Sequence, residues 1–338
     1  MVAGQDMSYP LFIAVTVALS WLLTGLATWY ATRIGLVDQP GERHSHRHPT
    51  PRGGGAGLVL AVIAVTSLLV PASVPSWWSY CIAPGFVTLA IVGWWDDHRS
   101  LSVRSRLVVQ LAVTLYLLAC MASNGGLDGV MQMLSVGLFV VWMTNLYNFM
   151  DGSNGMAGLQ GVFAGSVLAA LFWHAGDANA SLLALLLAAA CAGFLPWNTG
   201  RARVFMGDVG SLALGFAFAA LLVQGVAADA FALPVGLLVM SLFLTDATLT
   251  LLTRVMKGER WYNAHRQHAY QRLIAHGWSH GGVAVLYQVI NLALVLPGIV
   301  IAVQFPALAW PVALALMIFF ALCWYLLTQK FGALAQAG

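Results

Sequence analysis

Long apolar stretches alternate with short polar segments along the whole chain. Crossing the hydrocarbon core of a bilayer takes about 20 mostly apolar residues. Eleven stretches qualify, at roughly 8–31, 54–71, 79–95, 106–123, 129–147, 156–174, 179–196, 209–227, 231–253, 283–304 and 307–328. The second is at the short end. The pattern predicts an all-α, polytopic integral membrane protein with about 11 transmembrane helices, forming one membrane-embedded domain over residues 1–338. Met1 to Asp6 hold no basic segment, and no cleavage site follows, so the first stretch reads as a true span rather than a signal peptide. The inverted repeats with broken midplane helices common in transporters are not visible.

Composition narrows the class. Of 338 residues 60% are apolar and 8% charged, against about 25% charged in a soluble domain; mean hydropathy is +0.82. A soluble enzyme, a disordered chain, a coiled coil and a disulfide scaffold are excluded. Cys81, Cys120, Cys191 and Cys323 lie in apolar stretches without paired spacing, which reads as small core hydrophobes rather than disulfides or metal ligands.

Charge position says more than the net +3. With eleven crossings, all 15 Lys and Arg fall on one side: from Arg33 to Arg52, from Arg99 to Arg106, at Arg201 and Arg203, from Arg254 to Arg272, and at Lys330. The other side carries only Asp6, Asp128, Asp177 and Asp229. Basic residues stay cytoplasmic, so the N-terminus is expected outside and the C-terminus in the cytoplasm. The longest non-membrane stretches, about 32–53 and 254–282, are then cytoplasmic, and the chemistry is expected at that face.

Five polar constellations lie there. Asp96 and Asp97 are adjacent at the inner end of the third span. Two such carboxylates repel unless a cation or proton intervenes, which suits a divalent metal or a base; a solvated helix end neutralised by Arg99 and Arg104 would look the same. Asn145, Asn148 and Asp151 recur every third residue within one face of a helix end, where polar groups are expensive unless they share a task. Gly152 and Gly155 then break the helix; the alternative is an Asx-turn terminus. Asp208, in a Gly-flanked helix start, suits an N-cap or an oxygen for Mg²⁺ with phosphate at the helix N-terminus. Arg201 and Arg203 upstream supply cations or merely obey the positive-inside rule. In the large inner loop His265, Arg266 and His268 suit phosphate, which Arg binds bidentately, better than zinc; a basic loop on anionic lipid is the alternative. A fifth turn, with His44, His46, His48, Arg52 and Gly53, can cradle a phosphate. Asp246, inside the ninth span, costs about 2.5–3.5 kcal/mol to insert; it pairs with a basic group, lines the site, or is a structural acid.

Acids and amides together imply a hard divalent cation with oxygen ligands, Mg²⁺ with Mn²⁺ as a substitute. Arg- and Gly-rich turns imply phosphate, and a membrane site implies a lipid substrate. Phosphoryl or phosphoglycosyl transfer to a lipid phosphate follows. No nucleic-acid signature is present. A lipid or sugar transporter and a non-catalytic scaffold are the rivals.

The segments GWWDDHRSLSVRSR, NLYNFMDGSNG, FMGDVGSLALG and AHRQHAYQRL, in this order over residues of about 33–290, resemble the polyprenyl-phosphate N-acetylhexosamine-1-phosphate transferases. The wording LYNFMDG and RQHAYQRL looks like the branch that initiates O-antigen or related surface glycans rather than the phospho-MurNAc-pentapeptide branch. The resemblance implies catalytic Asp96, Asp97, Asp151 and His268, and Mg²⁺ held by Asn148 and Asp208. It implies substrate contacts at Phe205, near the uracil, and at Arg266; Asn145, Asn154, His265 and Arg52 are further candidates. Two departures matter: Asn154 stands where many relatives carry Asp, and Ala269-Tyr270 replaces further histidines. The implied partners are a UDP-N-acetylhexosamine, undecaprenyl phosphate and membrane lipid, with a homodimer left open. The implied location is the bacterial inner membrane.

Overall fold

The computed structural model describes residues 9–39, 49–123, 125–127, 129–259 and 266–334. All eleven apolar stretches are helical, as a lipid-embedded backbone must be to satisfy its own N–H and C=O groups. Helix α1 is Tyr9–Ile34 and α2 is Gly55–Ala64, the latter running on as a π-helical turn Val65–Leu69. A π-helical turn Trp78–Ile82 leads into α3, Ala83–His98. Then come α4 Val103–Ser123, α5 Val130–Met150, α6 Met156–His174, α7 Ala178–Asn198 and α8 Asp208–Ala227. The chain continues through α9 Leu233–Val239, α10 Ser241–Met256 and the short α11 Ala269–Ala275. Helix α12, His280–Ile290, passes by another π-helical turn, Asn291–Val295, into α13 Leu296–Gln304, and α14 is Ala309–Leu334.

Among the described residues nine helices are long and apolar enough to cross a membrane. Two of the eleven expected spans differ. The second, Gly55–Leu69, is shorter than a full span. The ninth is broken: α9 and α10 meet at 79° around Met240. A break in a span frees backbone carbonyls that need new partners. Here Gln160 Nε2 donates to Val239 O at 3.1 Å, and Asn291 Nδ2 holds the Gln160 amide oxygen at 2.8 Å.

Helix α8 forms the centre, with nearly all its side chains buried, while α1 and α14 face outward. Small residues let backbones approach closely. A Cβ on Gly93 would collide with the backbone of Asp208, so the last turns of α3 lie directly on the start of α8. Among the described residues the one strand pairing is a two-residue antiparallel pair, Val37–Asp38 with Thr50–Pro51. It is extended by backbone bonds from Phe205 N–H to Pro51 O (2.8 Å) and from Gly54 N–H to Phe205 O (2.9 Å). These bonds hold Arg52 beside the α8 start.

The cysteine expectation is corrected. Cys81 and Cys120 form a disulfide between the start of the α3 span and the end of α4, with Cα atoms 5.6 Å apart. Only Cys191 and Cys323 are free. The two partners are 39 residues apart in sequence, so spacing could not show them; the antiparallel α3–α4 hairpin brings them together. Sixteen helical residues, about 24 Å of rise, separate Cys81 from Asp97, so the disulfide ties the hairpin at the end opposite the acidic pair. Alkylation of the denatured, unreduced protein should label two of the four cysteines, and all four after reduction. The Cys81→Ser variant should unfold at lower temperature, having lost a cross-link of a kind that contributes about 2–4 kcal/mol.

Candidate active site

The site starts where α3 meets α8. The first N–H groups of a helix have no partner within it. Those of Asp208 and Val209 donate to the two carboxylate oxygens of Asp97, at 3.2 and 3.3 Å. Asp97 is only 4% exposed, and the positive end of the α8 dipole faces its charge. Gly207 makes this possible. Its φ is +75°, and a Cβ there would collide with the Asp97 carboxylate. The Arg52 guanidinium donates to the backbone oxygen of Asp97. Asp208 is therefore not the cap of α8; Asp97 does that from another helix.

Freed from capping, the Asp208 carboxylate lies between two donors. Arg106 of α4 reaches it at 2.9 Å and also reaches Asp96 at 2.9 Å. Asn148 Nδ2 donates to the other Asp208 oxygen at 2.8 Å and sits at the same distance from Ser211 Oγ. Within the acidic pair the cation at Asp96 is thus Arg106, and the one beside Asp97 is Arg52, not the exposed Arg99 or Arg104. Asp151 follows the end of α5 and faces the same space. Burial first, then the charges of Asp208 and Asp97, push its carboxyl well above the usual range.

These groups enclose a cavity of about 280 Å³ lined by Arg52, Asp97, Asn148, Asp151 and Asp208, with Asn154, Phe205 and Tyr270 on its other walls. A second cavity of about 960 Å³ shares Asn154, Phe205 and His280 with it and adds Arg201, Arg203 and Trp278. Pockets of this size take nucleotide- or drug-sized ligands. Two buried polar atoms on the cavity walls lack a hydrogen-bond partner among the described residues, Arg52 Nε and Asn154 Oδ1. Buried polar groups are normally paired; an N–H of a guanidinium calls for an anion, and an amide oxygen for a donor.

Of the residues expected at the site, Arg52, Asp97, Asn148, Asp151, Asn154, Phe205 and Asp208 converge on it. Asp96 does not line the cavity; it turns to Arg106 and the Leu101 N–H in the wall behind. Asn145 bonds Gln110 of α4 (2.7 Å) and Val141 O. A three-residue repeat drifts about 60° per step, so Asn145 lies about 9 Å along the axis and a third of a turn away from Asp151. His268 is 3% exposed, stacks on Tyr270, and points Nδ1 at Asp246, 3.6 Å away. Arg266 is exposed and lies in neither cavity wall. His265 lies outside the described residues. Asp246, inside the ninth span, pairs with the loop at 268–270 rather than with Arg254.

Arg106, Ser153 and His280 are not singled out by the sequence, and Tyr270 stands out there only as a replacement for a histidine. Ser153 Oγ lies 3.1 Å from His280 Nδ1, and both line the smaller cavity. Tyr270 is fully buried, and desolvation, then Asp246 and Asp151, keep its hydroxyl neutral by pushing it above its usual range. An Arg two to ten residues from an acidic pair at a helix end is the signal that was available for Arg106.

No group of three His, Cys, Asp or Glu among the described residues is arranged as a closed metal cage. The donors facing the cavity nonetheless include carboxylate and amide oxygens, and the Asn148 amide turns its nitrogen to Asp208 and Ser211, leaving Oδ1 without a partner among the described residues. That donor set fits a hard cation such as Mg²⁺, which commonly takes one or two carboxylates and keeps water or phosphate for the rest.

Comparison with known proteins gives the class. Residues 79–226 match the model of glycosyl transferase family 4. A probable undecaprenyl-phosphate N-acetylglucosaminyl 1-phosphate transferase of Bacillus subtilis is 27% identical over 280 residues, 79% of this chain and 77% of the relative. A decaprenyl-phosphate N-acetylglucosaminephosphotransferase of Mycobacterium tuberculosis is 28% identical over 324 residues, 84% of this chain and 80% of the relative. A phospho-N-acetylmuramoyl-pentapeptide-transferase of a Synechococcus strain is 35% identical over 243 residues, 65% of this chain and 68% of the relative. The chain belongs to glycosyl transferase family 4, the polyprenyl-phosphate N-acetylhexosamine-1-phosphate transferases. The matched region of this family 4 transferase contains Asp97, Arg106, Asn148, Asp151 and Asp208, but neither Arg52 nor the 268–280 segment. Arg106→Met should lower transfer at least about tenfold at normal expression, because removing one partner of a partly buried ion pair strands the others; initial rates on the purified variant check this.

Proposed function

We propose that this family 4 transferase moves N-acetylhexosamine-1-phosphate from a UDP-sugar to undecaprenyl phosphate, giving undecaprenyl-diphospho-sugar and UMP. The observation that carries the reading is the convergence of Arg52, Asp97, Asn148, Asp151 and Asp208, from four separate chain segments, on one cavity beside a larger one. The B. subtilis and M. tuberculosis relatives are named for N-acetylglucosamine, which makes UDP-N-acetylglucosamine the first donor to test. The surface-glycan role, O-antigen initiation, is the product chemistry such a lipid-linked sugar serves.

The reaction needs an anionic nucleophile to approach an anionic pyrophosphate. Arg52, with a free N–H on the cavity wall, receives one phosphate. Mg²⁺ on Asn148 and Asp208 would neutralise the diphosphate and the charge that gathers on departing UMP. Asp97, rather than Asp96, is the acid of the pair that meets the cavity and can take the proton of the lipid phosphate. A lipid phosphate oxygen then bonds to the β-phosphorus as its bond to the UMP oxygen breaks. Arg201 and Arg203, which line the larger cavity, draw in the anionic donor.

The acidic cluster lies at the end of the bundle to which the eleven-crossing reading of the sequence assigns the Lys and Arg residues, which supports a cytoplasmic active site in the bacterial inner membrane with the N-terminus outside. The Cys81–Cys120 disulfide at the other end supports the same orientation, since disulfides persist in oxidising compartments. Transport gains nothing from Asp246, whose oxygens are engaged by backbone and tyrosine donors.

Purified protein given radiolabelled UDP-N-acetylglucosamine and undecaprenyl phosphate should release UMP with Mg²⁺, stop on chelation, and recover with Mg²⁺ or Mn²⁺. Asp97→Ala and Asp208→Ala should each abolish release at normal membrane expression. Near wild-type turnover in either variant, or turnover indifferent to chelation, removes the assignment.

A further inference from the structure

Asp246 gathers more hydrogen bonds than a buried acid needs for solubility in the bundle. Its Oδ1 accepts from Ala269 N–H at 2.8 Å and Thr250 Oγ1 at 3.2 Å; its Oδ2 accepts from Tyr287 Oη at 2.9 Å and Tyr270 N–H at 3.4 Å. His268 Nδ1 stands 3.6 Å off. The donors come from α10, the start of α11, and α12. The 79° break before α10 turns this helix so that its acid meets the cytoplasmic segment.

What Asp246 fixes is Tyr270, and Tyr270 reaches the active site. Its hydroxyl donates to Phe149 O at 3.0 Å. Phe149 lies in the last turn of α5, where carbonyls have no partner within the helix. The residues around it, Asn148 and Asp151, are the ones that face the cavity. Gly152 is shaped to this contact: a Cβ there would collide with the Tyr270 hydroxyl. A path of direct contacts therefore runs from Asp246 through Tyr270 to the end of α5.

We propose that Asp246 is a positioning residue for the transferase, which through Tyr270 sets where Asn148 and Asp151 stand in the cavity. The proposal rests on the transferase reading for its rate measurements only. A group acting this way changes turnover more than donor affinity, because Asn148 and Asp151 face the phosphates while the larger cavity holds much of the donor.

The test is a double-mutant cycle of Asp246→Asn and Tyr270→Phe in detergent-purified protein, read by UMP release and by amide hydrogen exchange. Each single variant should lower kcat about tenfold or more with donor KM within about threefold, and the double variant should be no slower than the slower single one. Amides of 149–155 should exchange faster in both, with those of α6 and α7 unchanged. Wild-type kcat in Asp246→Asn, multiplicative losses in the double variant, or faster exchange confined to α10 and α11 overturns the proposal. If Asp246→Asn does not fold, Tyr287→Phe takes its place in the cycle under the same criteria. A wild-type protein that releases no UMP from any UDP-N-acetylhexosamine sinks the transferase reading instead, and the exchange data still decide the positioning.

Discussion

A buried carboxylate on the first N–H groups of a central helix is the contact on which the site depends. Asp97 closes the start of α8 from α3, at 3.2 and 3.3 Å. An isolated charge at this depth would cost several kcal/mol. Two orphan N–H groups and the helix dipole offset part of that cost, and the same carboxylate satisfies donors that would otherwise be stranded. The contact also decides the fate of Asp208. With its helix already capped, its carboxylate is available to Arg106 and Asn148.

The charges around the cavity divide by side. Arg106 stands behind the acids and bridges Asp96 to Asp208, holding the wall together. Arg52 stands in front, with one N–H satisfied by the Asp97 backbone and another unpaired. Between them Asp151 is buried beside Asp208 and Asp97; burial first, then those two charges, push its carboxyl upward. A cavity lined by both carboxylates and an arginine is the electrostatic setting that the proposed metal-assisted transfer calls for.

Polar groups within the spans serve architecture that the cavity needs. Gln160 and Asn291 stitch α6 and the α12 π-helical turn to the break at Val239. The break sets the direction of α10, and α10 carries Asp246 to α11. Gln110 and Asn145 join α4 to α5, keeping Arg106 and Asn148 on facing helices. An intramembrane polar side chain is expensive, and each of these meets a named partner.

The lengths of apolar runs and the one-sided distribution of Lys and Arg determine the helical membrane class, because hydrocarbon thickness and backbone satisfaction act on composition alone. The motifs around Asp97, Asn148, Asp151 and Asp208 were legible for a similar reason: clustered polar residues at the ends of apolar helices are costly without a shared role. Nothing in Leu238, Val239, Met240 or Ser241 marks a breaker, so the bent ninth span was invisible; its freed carbonyl is taken up by Gln160 from another helix. Cys81 meets Cys120, and Arg106 meets both Asp96 and Asp208, only once α3, α4 and α8 are packed. Asn145 and His268 carried the right residue type but face other partners, since a spacing of three fixes an arc and not a direction. Sequence sets which side chains are too polar to be left alone in a membrane; the tertiary packing decides which of them meet, because those partners lie tens of residues apart and are chosen by how helices cross.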